Sequence, residues 1–561
     1  MPFGFNGRFL RVDLSSNKVD VERHDEGFYR RYFGGRCVIA YYLLRELKPM
    51  VDPLSPENLL IFAPGIVTGA PIAGSGRSSV GAKSPLTGAY GEAEAGGFFG
   101  AELKHAGFDG IIIKGRAEHP VYLWIQDCEA EIRDARHLWG LDTGDSQEAI
   151  RKELGDNMIR TALIGRAGEN LVRFACVIHD LRDAAGRTGM GAVMGSKNLK
   201  AVAVRGHGKI EVSNPEKLRG LSKWLLENLE AKTGSLHKFG TGAMMTAHVL
   251  SGNLPTRNFR DGGFTNPEAI SAQTIANTVR VSMEGCFACP VRCKKVVKMD
   301  EPWKVDPKYG GPEYETLAAL GSNCGIDDLK AICKANELCQ RYSLDTISTG
   351  VTIAFAMECF ENGLITEKDT EGLDLSFGNA EAMVKMVEMI ANREGIGNIL
   401  AEGVKRAAEK IGGGAEKFAL HVKGEEVPMH EPRLKRGLAL GYSVFPTGAD
   451  HNNNLHDVDT RAFPALGIFE PVALEDLGPR KVRLFVYYTN WRVVSNSLVM
   501  CNFLPWVTDV DQLTEIVRAV TGWNTSAFEV YKLGERSMNM VRAFNVREGF
   551  TPKDDWLPTR F

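Results

Sequence analysis

The chain has no basic arm, no long block of like charge and no run of 18 apolar residues. Each absence removes a class of function. Lys and Arg number 67 against 70 Asp and Glu, a formal charge of −3, so no nucleic-acid partner is expected. Without a long apolar run, no membrane span is expected. The opening MPFGFNGRFLRVDLSS has no apolar segment behind a basic start, which predicts a cytoplasmic protein. Neither the dinucleotide fingerprint nor a P-loop occurs, and no internal repeat or low-complexity tract is found.

Glycine, by contrast, is plentiful, with 60 in 561 residues. That exceeds the usual ~7% and predicts many tight turns or close backbone approaches. Eleven cysteines in a reducing compartment read as reduced or metal-bound rather than paired. Cys37, Cys128, Cys176, Cys324, Cys333, Cys339 and Cys359 stand singly and read as packing residues.

The length suggests about three or four structural units. In the first 210 residues FLRVDLS, DGIIIKG, PVYLWIQ, EIRDA, RTALIG, VRFACVI and KAVAVRG read as strands beside turn formers. They lie too close together for regular strand–helix alternation, so a β-rich base of sheets packed face to face is expected over 1–210. After Asn214-Pro215, apolar spacings of three and four predict helices in PEKLRGLSKWLLENLEAK, LKAICKANELCQRYS, TISTGVTIAFAMECFENG and EAMVKMVEMIANREG. A Pro- and Gly-containing stretch near 424–437 sets a further boundary. The expected division is 1–210, 211–423 and 424–561, an α+β protein with one β-rich and two mainly helical parts.

Cys286-Phe-Ala-Cys289-Pro-Val-Arg-Cys293 is the sharpest local feature. Three soft thiolates at this spacing suit a metal or one face of a cluster. Zinc sites more often carry two separated C-x2-C pairs, and no second pair follows. A cubane iron–sulfur cluster needs four thiolates, and Cys501 is the distant candidate. The spacing favours the cluster while leaving zinc open.

Gly74-Ser-Gly76-Arg77-Ser-Ser and Ala184-Ala-Gly186-Arg187-Thr-Gly189-Met-Gly191 are candidate anion cradles, each with an adjacent Arg. Glu94-Ala-Gly96-Gly97-Phe-Phe-Gly100 permits close backbone approach. Tight turns between strands use the same residues. Glu313, after Pro312, reads as a helix start whose dipole would lower its pKa, suiting a base or an ion pair. His451 falls in Pro446-Thr-Gly-Ala-Asp-His-Asn-Asn-Asn-Leu-His-Asp457, an irregular loop of the kind that carries either solvated or catalytic groups.

Taken in order, these segments resemble the tungsten-containing aldehyde:ferredoxin oxidoreductases over nearly the whole chain. LSPENLLIFAPG, GRSSVGAKSPLTG, GGFFGAELKHAGFDGIIIKG, GRAGENLVRFA and AAGRTGMGAVMGSKNLKAVAV look like that family's first domain. GCFACPVRC, GPEYETLAALG, LDTISTGVTIAFAME and PTGADHNNNLHD extend the likeness. The resemblance implies aldehyde oxidation to a carboxylic acid at one tungsten (or molybdenum) held by two pterins, beside a 4Fe–4S cluster. Electrons would pass to ferredoxin or to a small iron–sulfur partner subunit, in a homo- or hetero-oligomer.

By the same resemblance Cys286, Cys289, Cys293 and Cys501 would ligate the cluster. Arg77 would lie between cluster and pterin. The carbonyls of Glu94 and Ala184 would hold a magnesium ion bridging the pterin phosphates, with Gly96, Gly186 and Arg187 in the same cradles. Glu313 would act as base and His451 as hydrogen-bond partner of the substrate oxygen.

The family's two pterin motifs read approximately D-x-x-G-L-(C/D). Here they are Gln340-Arg-Tyr-Ser-Leu344-Asp345 and Asn496-Ser-Leu-Val-Met500-Cys501, both altered at the leading acid and the Gly. Amides at Gln340 and Asn496 still bond ring nitrogens, with changed polarity. Two rivals follow: a tungsten subunit of an aromatic acyl-CoA reductase, and a non-catalytic cluster-bearing paralogue.

Overall fold

The computed structural model describes residues 3–457 and 462–561. Among these, the N-terminal strands form two six-stranded sheets. The first contains β1 (Arg8–Asp13), β2 (Lys18–Arg23), β3 (Leu60–Ala63), β4 (Ser78–Lys83), β5 (Tyr90–Ala95) and β6 (Gly110–Lys114), in the order β2-β1-β6-β3-β4-β5. The second contains β7 (Val121–Gln126), β8 (Glu129–Asp134), β9 (Arg160–Leu163), β10 (Val177–His179), β11 (Asp183–Ala185) and β12 (Leu199–Arg205), in the order β11-β10-β9-β12-β7-β8.

Period-two alternation explains the layering. Ile111 and Ile113 of β6, with Leu60 and Phe62 of β3, meet Leu123 and Ile125 of β7 in a core between the sheets. The intervening Ile112 and Ile61 point the other way, into a second core shared with helices. Tyr122 and Trp124 of β7 likewise turn outward against the helix Thr143–Leu154. Strands buried on both faces read as continuous apolar runs, as IIIK and VYLWIQ do. At the sheet edges β5 lies against β11, and β2 against β8. The first of these junctions brings Glu94 and Ala184 to neighbouring strands.

One expected strand is much shorter than its sequence implies. Of VRFACVI only Val177 and Ile178 enter β10. The Cys176 N–H instead donates to the Ser343 carbonyl at 2.8 Å, and the Asp345 N–H donates to the Phe174 carbonyl at 3.2 Å. That stretch ties the base to the helical region.

The helical core centres on Tyr314–Leu320, Leu329–Tyr342, Thr346–Glu361 and Ala380–Asn392. Thr346–Glu361 is buried almost all round. Asp345 caps it, accepting from the Ile347 and Ser348 N–H groups at 3.2 and 3.1 Å. A Cβ on Gly350 would lie 2.5 Å from the Ala319 carbonyl, so only glycine permits that helix crossing.

Packing cuts across the expected boundary at 423/424. Val427, Met429, Leu438, Tyr442 and Ala449 belong to the helical core. The later helices Val510–Thr521 and Ala527–Arg547 return to the base and share its core with the helix Gly35–Glu46. That return brings the segment Asn496–Cys501 beside the first sheet. No described helix is long and apolar enough to cross a membrane.

Candidate cofactor and active site

Cys286, Cys289 and Cys293 lie on the turn between β13 (Arg280–Glu284) and β14 (Lys294–Val297). Two backbone bonds set this turn and Cys501 against the glycine segments. The Phe287 N–H donates to the Gly97 carbonyl at 3.0 Å, and the Cys501 N–H donates to the Gly74 carbonyl at 3.1 Å. Glycine is required here, since a Cβ on Gly96 would stand 2.9 Å from the Cys286 Sγ. Burial, with a smaller contribution from Cys501, pushes the Cys286 and Cys289 thiols up to about 12 and about 11. Cys293 rises as well, chiefly by burial and then by Glu313 and Cys501. Cys286, Cys289 and Cys293 therefore sit where only added positive charge would ionise them. Among the described residues no three His, Cys, Asp or Glu side chains are arranged to hold a single metal ion.

Arg77 stands beside this group. Its Nε donates to Glu94 Oε2 at 2.9 Å and its Nη2 to the Glu94 carbonyl at 3.3 Å. Asn496 Nδ2 donates to Glu94 Oε1 at 2.6 Å. Burial opposes the charge on Arg77, yet Glu94, Cys501 and Cys286 outweigh it and hold its pKa above the ordinary value. Met500 packs beneath, 3.2 Å from where a Gly74 Cβ would sit.

Arg187 is the counterpart on the second sheet. It lies 3.3 Å from both Asp345 Oδ2 and Glu425 Oε1, and its Nη2 donates to the Glu426 carbonyl at 2.6 Å. A Gly186 Cβ would stand 3.3 Å from Asp345 Oδ1. Leu344 is buried, its N–H donating to the Cys339 carbonyl at 2.8 Å. Burial raises Glu425 to about 8, with Asp450 and Asp345 adding to the rise and Arg187 opposing it.

The acid that faces His451 is Glu315 rather than Glu313. Glu313 is the N-cap of Tyr314–Leu320, with extended backbone at φ −85° and ψ 171°. It is 44% exposed, bonded by the Thr241 hydroxyl and 3.5 Å from Lys295 Nζ. Glu315, in the first helical turn, points into the interior and is 14% exposed. The Met429 N–H donates to its Oε2 at 2.8 Å. Its Oε1 lies 3.3 Å from His430 Nε2 and 3.7 Å from His451 Nε2, with no aligned hydrogen bond to either. Burial lifts Glu315 to about 7, opposed by the Met429 bond and by Arg187. Burial, with Arg187 and Lys435, lowers His451 to about 3. His451 is therefore neutral at neutral pH.

Several buried polar atoms around these residues have no aligned hydrogen-bond partner in the protein: Arg187 Nε and Nη1, Gln340 Oε1, Asn496 Oδ1, Glu315 Oε1 and both ring nitrogens of His179. Buried polar groups are rarely left so, and a group rich in donors and acceptors would satisfy them. The two arginine cradles, the orphaned amides and the thiols fit a polar, multi-ring cofactor beside a cluster. The family models decide the identity: the N-terminal domain of aldehyde ferredoxin oxidoreductase matches residues 9–206, and domains 2 and 3 match 221–561.

The chain belongs to the aldehyde ferredoxin oxidoreductase family.

Within that family, the chain is 40% identical to the tungsten-containing aldehyde ferredoxin oxidoreductase of Pyrococcus horikoshii, over all of this chain and 92% of the relative. The enzyme of the same name from Pyrococcus abyssi is also 40% identical, with 91% of it covered. In three dimensions the chain resembles the active-site complex BamBC of benzoyl coenzyme A reductase bound to 1,5-dienoyl-CoA. That likeness has a TM-score of 0.85 at 28% identity, covering all of this chain and 92% of the other. The residues that sequence reading missed in this family member are Glu315, Glu425, His430 and Lys435. Glu315 stands two positions from Glu313, in Glu313-Tyr-Glu315, and only side-chain direction separates them.

Proposed function

We propose that this protein oxidises aldehydes to carboxylic acids, using a tungsten bis-pterin centre and a 4Fe–4S cluster, with ferredoxin or a small iron–sulfur protein as acceptor. The observation that carries the reading is Glu315, a buried carboxylate with one free oxygen facing neutral His451, beside Arg187 and its unfilled hydrogen-bonding positions. Arg77, Asn496 and Met500 would line one pterin, and Arg187, Gln340, Leu344 and Asp345 the other. The carbonyls of Glu94 and Ala184 would hold the magnesium ion, with Gly96 and Gly186 leaving room. Cys286, Cys289, Cys293 and Cys501 would carry the cluster. When bound, the tungsten centre supplies a two-electron acceptor that the cluster can empty one electron at a time.

The proton transfer from water and the hold on the carbonyl oxygen belong to the protein. Glu315 Oε1 takes the proton from water as oxygen adds to the aldehyde carbon, a general-base role matched to a pKa near 7. Neutral His451 donates a hydrogen bond to the carbonyl oxygen as negative charge grows there. Glu313, held by Thr241 and Lys295, lies towards Cys293 and is not assigned the base role. Electrons would leave past the cysteine turn, where His237, Lys238, Arg280 and Arg292 line a cavity of about 530 Å³. A cationic rim suits an acidic acceptor.

The likeness to the benzoyl coenzyme A reductase complex supports a second reading, reduction of an aromatic acyl-CoA. Two assays on anaerobic, cofactor-loaded protein separate them: benzaldehyde oxidation with a viologen acceptor, and benzoyl-CoA reduction with a low-potential donor. Aldehyde turnover alone supports the proposal, and acyl-CoA turnover alone overturns it.

A further inference from the structure

The mechanism leaves unused several bases packed beside His451, among them the buried His430 and Lys435. His430 is 8% exposed and sits among three other imidazoles, with ring centroids 4.8 Å from His456, 5.8 Å from His248 and 6.0 Å from His451. Its ring stacks on Tyr314 at 5.1 Å. The backbone around it is fixed at neighbouring residues. The Met429 N–H is held by Glu315, the Met429 carbonyl accepts from the Tyr314 hydroxyl at 2.7 Å, and the Glu431 N–H donates to Asn253 Oδ1 at 3.2 Å.

That frame decides which nitrogen carries the hydrogen. Burial and the surrounding bases His456, Lys435, His451 and His248 keep His430 far below the ordinary imidazole range, so the ring is neutral with one N–H. Its Nδ1 is met by two donors, Asn253 Nδ2 at 3.2 Å and Lys435 Nζ at 3.4 Å. The Asn253 amide cannot turn round without losing the Glu431 N–H, so Nδ1 is the acceptor. The hydrogen then lies on Nε2, 3.3 Å from Glu315 Oε1. Bonds of this kind are often long before substrate arrives and tighten in the working complex. Lys435 is held in turn by His456 Nδ1 at 3.3 Å.

We propose that His430 is a positioning residue for Glu315: Asn253 and Lys435 lock its tautomer so that Nε2–H is presented to Oε1, holding that carboxylate ionised and aimed beside His451. This rests on Glu315 being the base. A purely structural imidazole would not need two donors on one nitrogen and an unpartnered carboxylate oxygen beside the other. The charged and titratable groups around Glu315 are Arg187, Asp345, Lys435, His430, His451, Tyr314 and Tyr442. Of these, His430 and His451 bring nitrogens to its free oxygen.

The test reads the Glu315 proton directly. The carboxylic-acid C=O band that titrates in the intact protein and is absent from Glu315→Gln is followed by infrared difference spectroscopy. Removing a donor to the ionised form raises a carboxyl pKa. His430→Phe should therefore move the midpoint up by about one unit, and His430→Gln, whose amide nitrogen replaces Nε2–H, should restore most of it. Removing both donors, in the double variant Asn253→Ala, Lys435→Met, should shift the midpoint in the same direction if His430→Phe fails to fold, because the freed Nδ1 can then take the hydrogen. In aldehyde turnover His430→Phe should lose about tenfold in kcat below the midpoint and recover at high pH, with KM unchanged. An unmoved infrared midpoint in the folded variants overturns the proposal. Absent aldehyde turnover in the unaltered protein would instead overturn the base reading, a separate result that the infrared titration does not depend on.

Discussion

The two arginine cradles have similar beginnings and different surroundings. Arg77 and Arg187 each follow a glycine, each stands near a sheet edge, and each pairs with buried acid. Around Arg77 the next neighbours are thiols: Cys501 and Cys286 act on its charge. Around Arg187 they are carboxylates and, through Glu315, imidazoles. Sulfur ligands serve electrons, and carboxylates with neutral imidazoles serve protons. The difference divides the proposed reaction between an electron side and a proton side.

The largest expected effect breaks the proton side alone. Glu315→Gln should lower kcat/KM by roughly 10²–10⁴-fold while tungsten and iron stay bound. Glu313→Gln, on the thiol-facing side of the same helix start, should cost less than tenfold by the same assay. Equal losses would erase the distinction between the two acids.

Next in size is the electron side. Cys501→Ala should remove most of the iron and abolish reduction of an iron–sulfur acceptor, read by metal analysis and stopped-flow absorbance. Retention of full iron would show that the fourth ligand lies elsewhere.

A smaller effect concerns how the segment Asn496–Cys501 is seated. Gly35 has φ +40°, and a Cβ there would lie 1.9 Å from the Asn496 carbonyl. Gly35→Ala should cost about 1–3 kcal/mol in denaturant unfolding and reduce iron loading before it affects the Arg187 side. The pH profile is the mildest probe. A base must be deprotonated to act, so kcat/KM should rise with pH, bend near 7 with Glu315 and level off. His451, already neutral above about 3, should add no second limb.

Much of this arrangement was legible in the sequence, and the exceptions share a cause. Apolar runs such as Gly110–Lys114 and Val121–Gln126 announced their strands because both faces are buried. Ser78–Lys83 and Tyr90–Ala95 are not among the expected strands, since small residues hide strand periodicity where backbones approach closely. The thiol spacing pointed to Cys286, Cys289 and Cys293, with Cys501 as the distant candidate for the fourth thiolate. His430 and Lys435 gave no local signal, because their meaning depends on Asn253 and Glu315 more than a hundred positions away in the chain. Glu313 and Glu315 were separable only by backbone direction at a helix cap, which composition does not encode.

The division into two sides presupposes that both cradles are filled. The most direct test is metal analysis of anaerobically purified protein from a host with a verified tungstopterin supply. The account predicts about one tungsten and about four iron per chain. Four iron without tungsten or molybdenum, or zinc in place of iron, would contradict it.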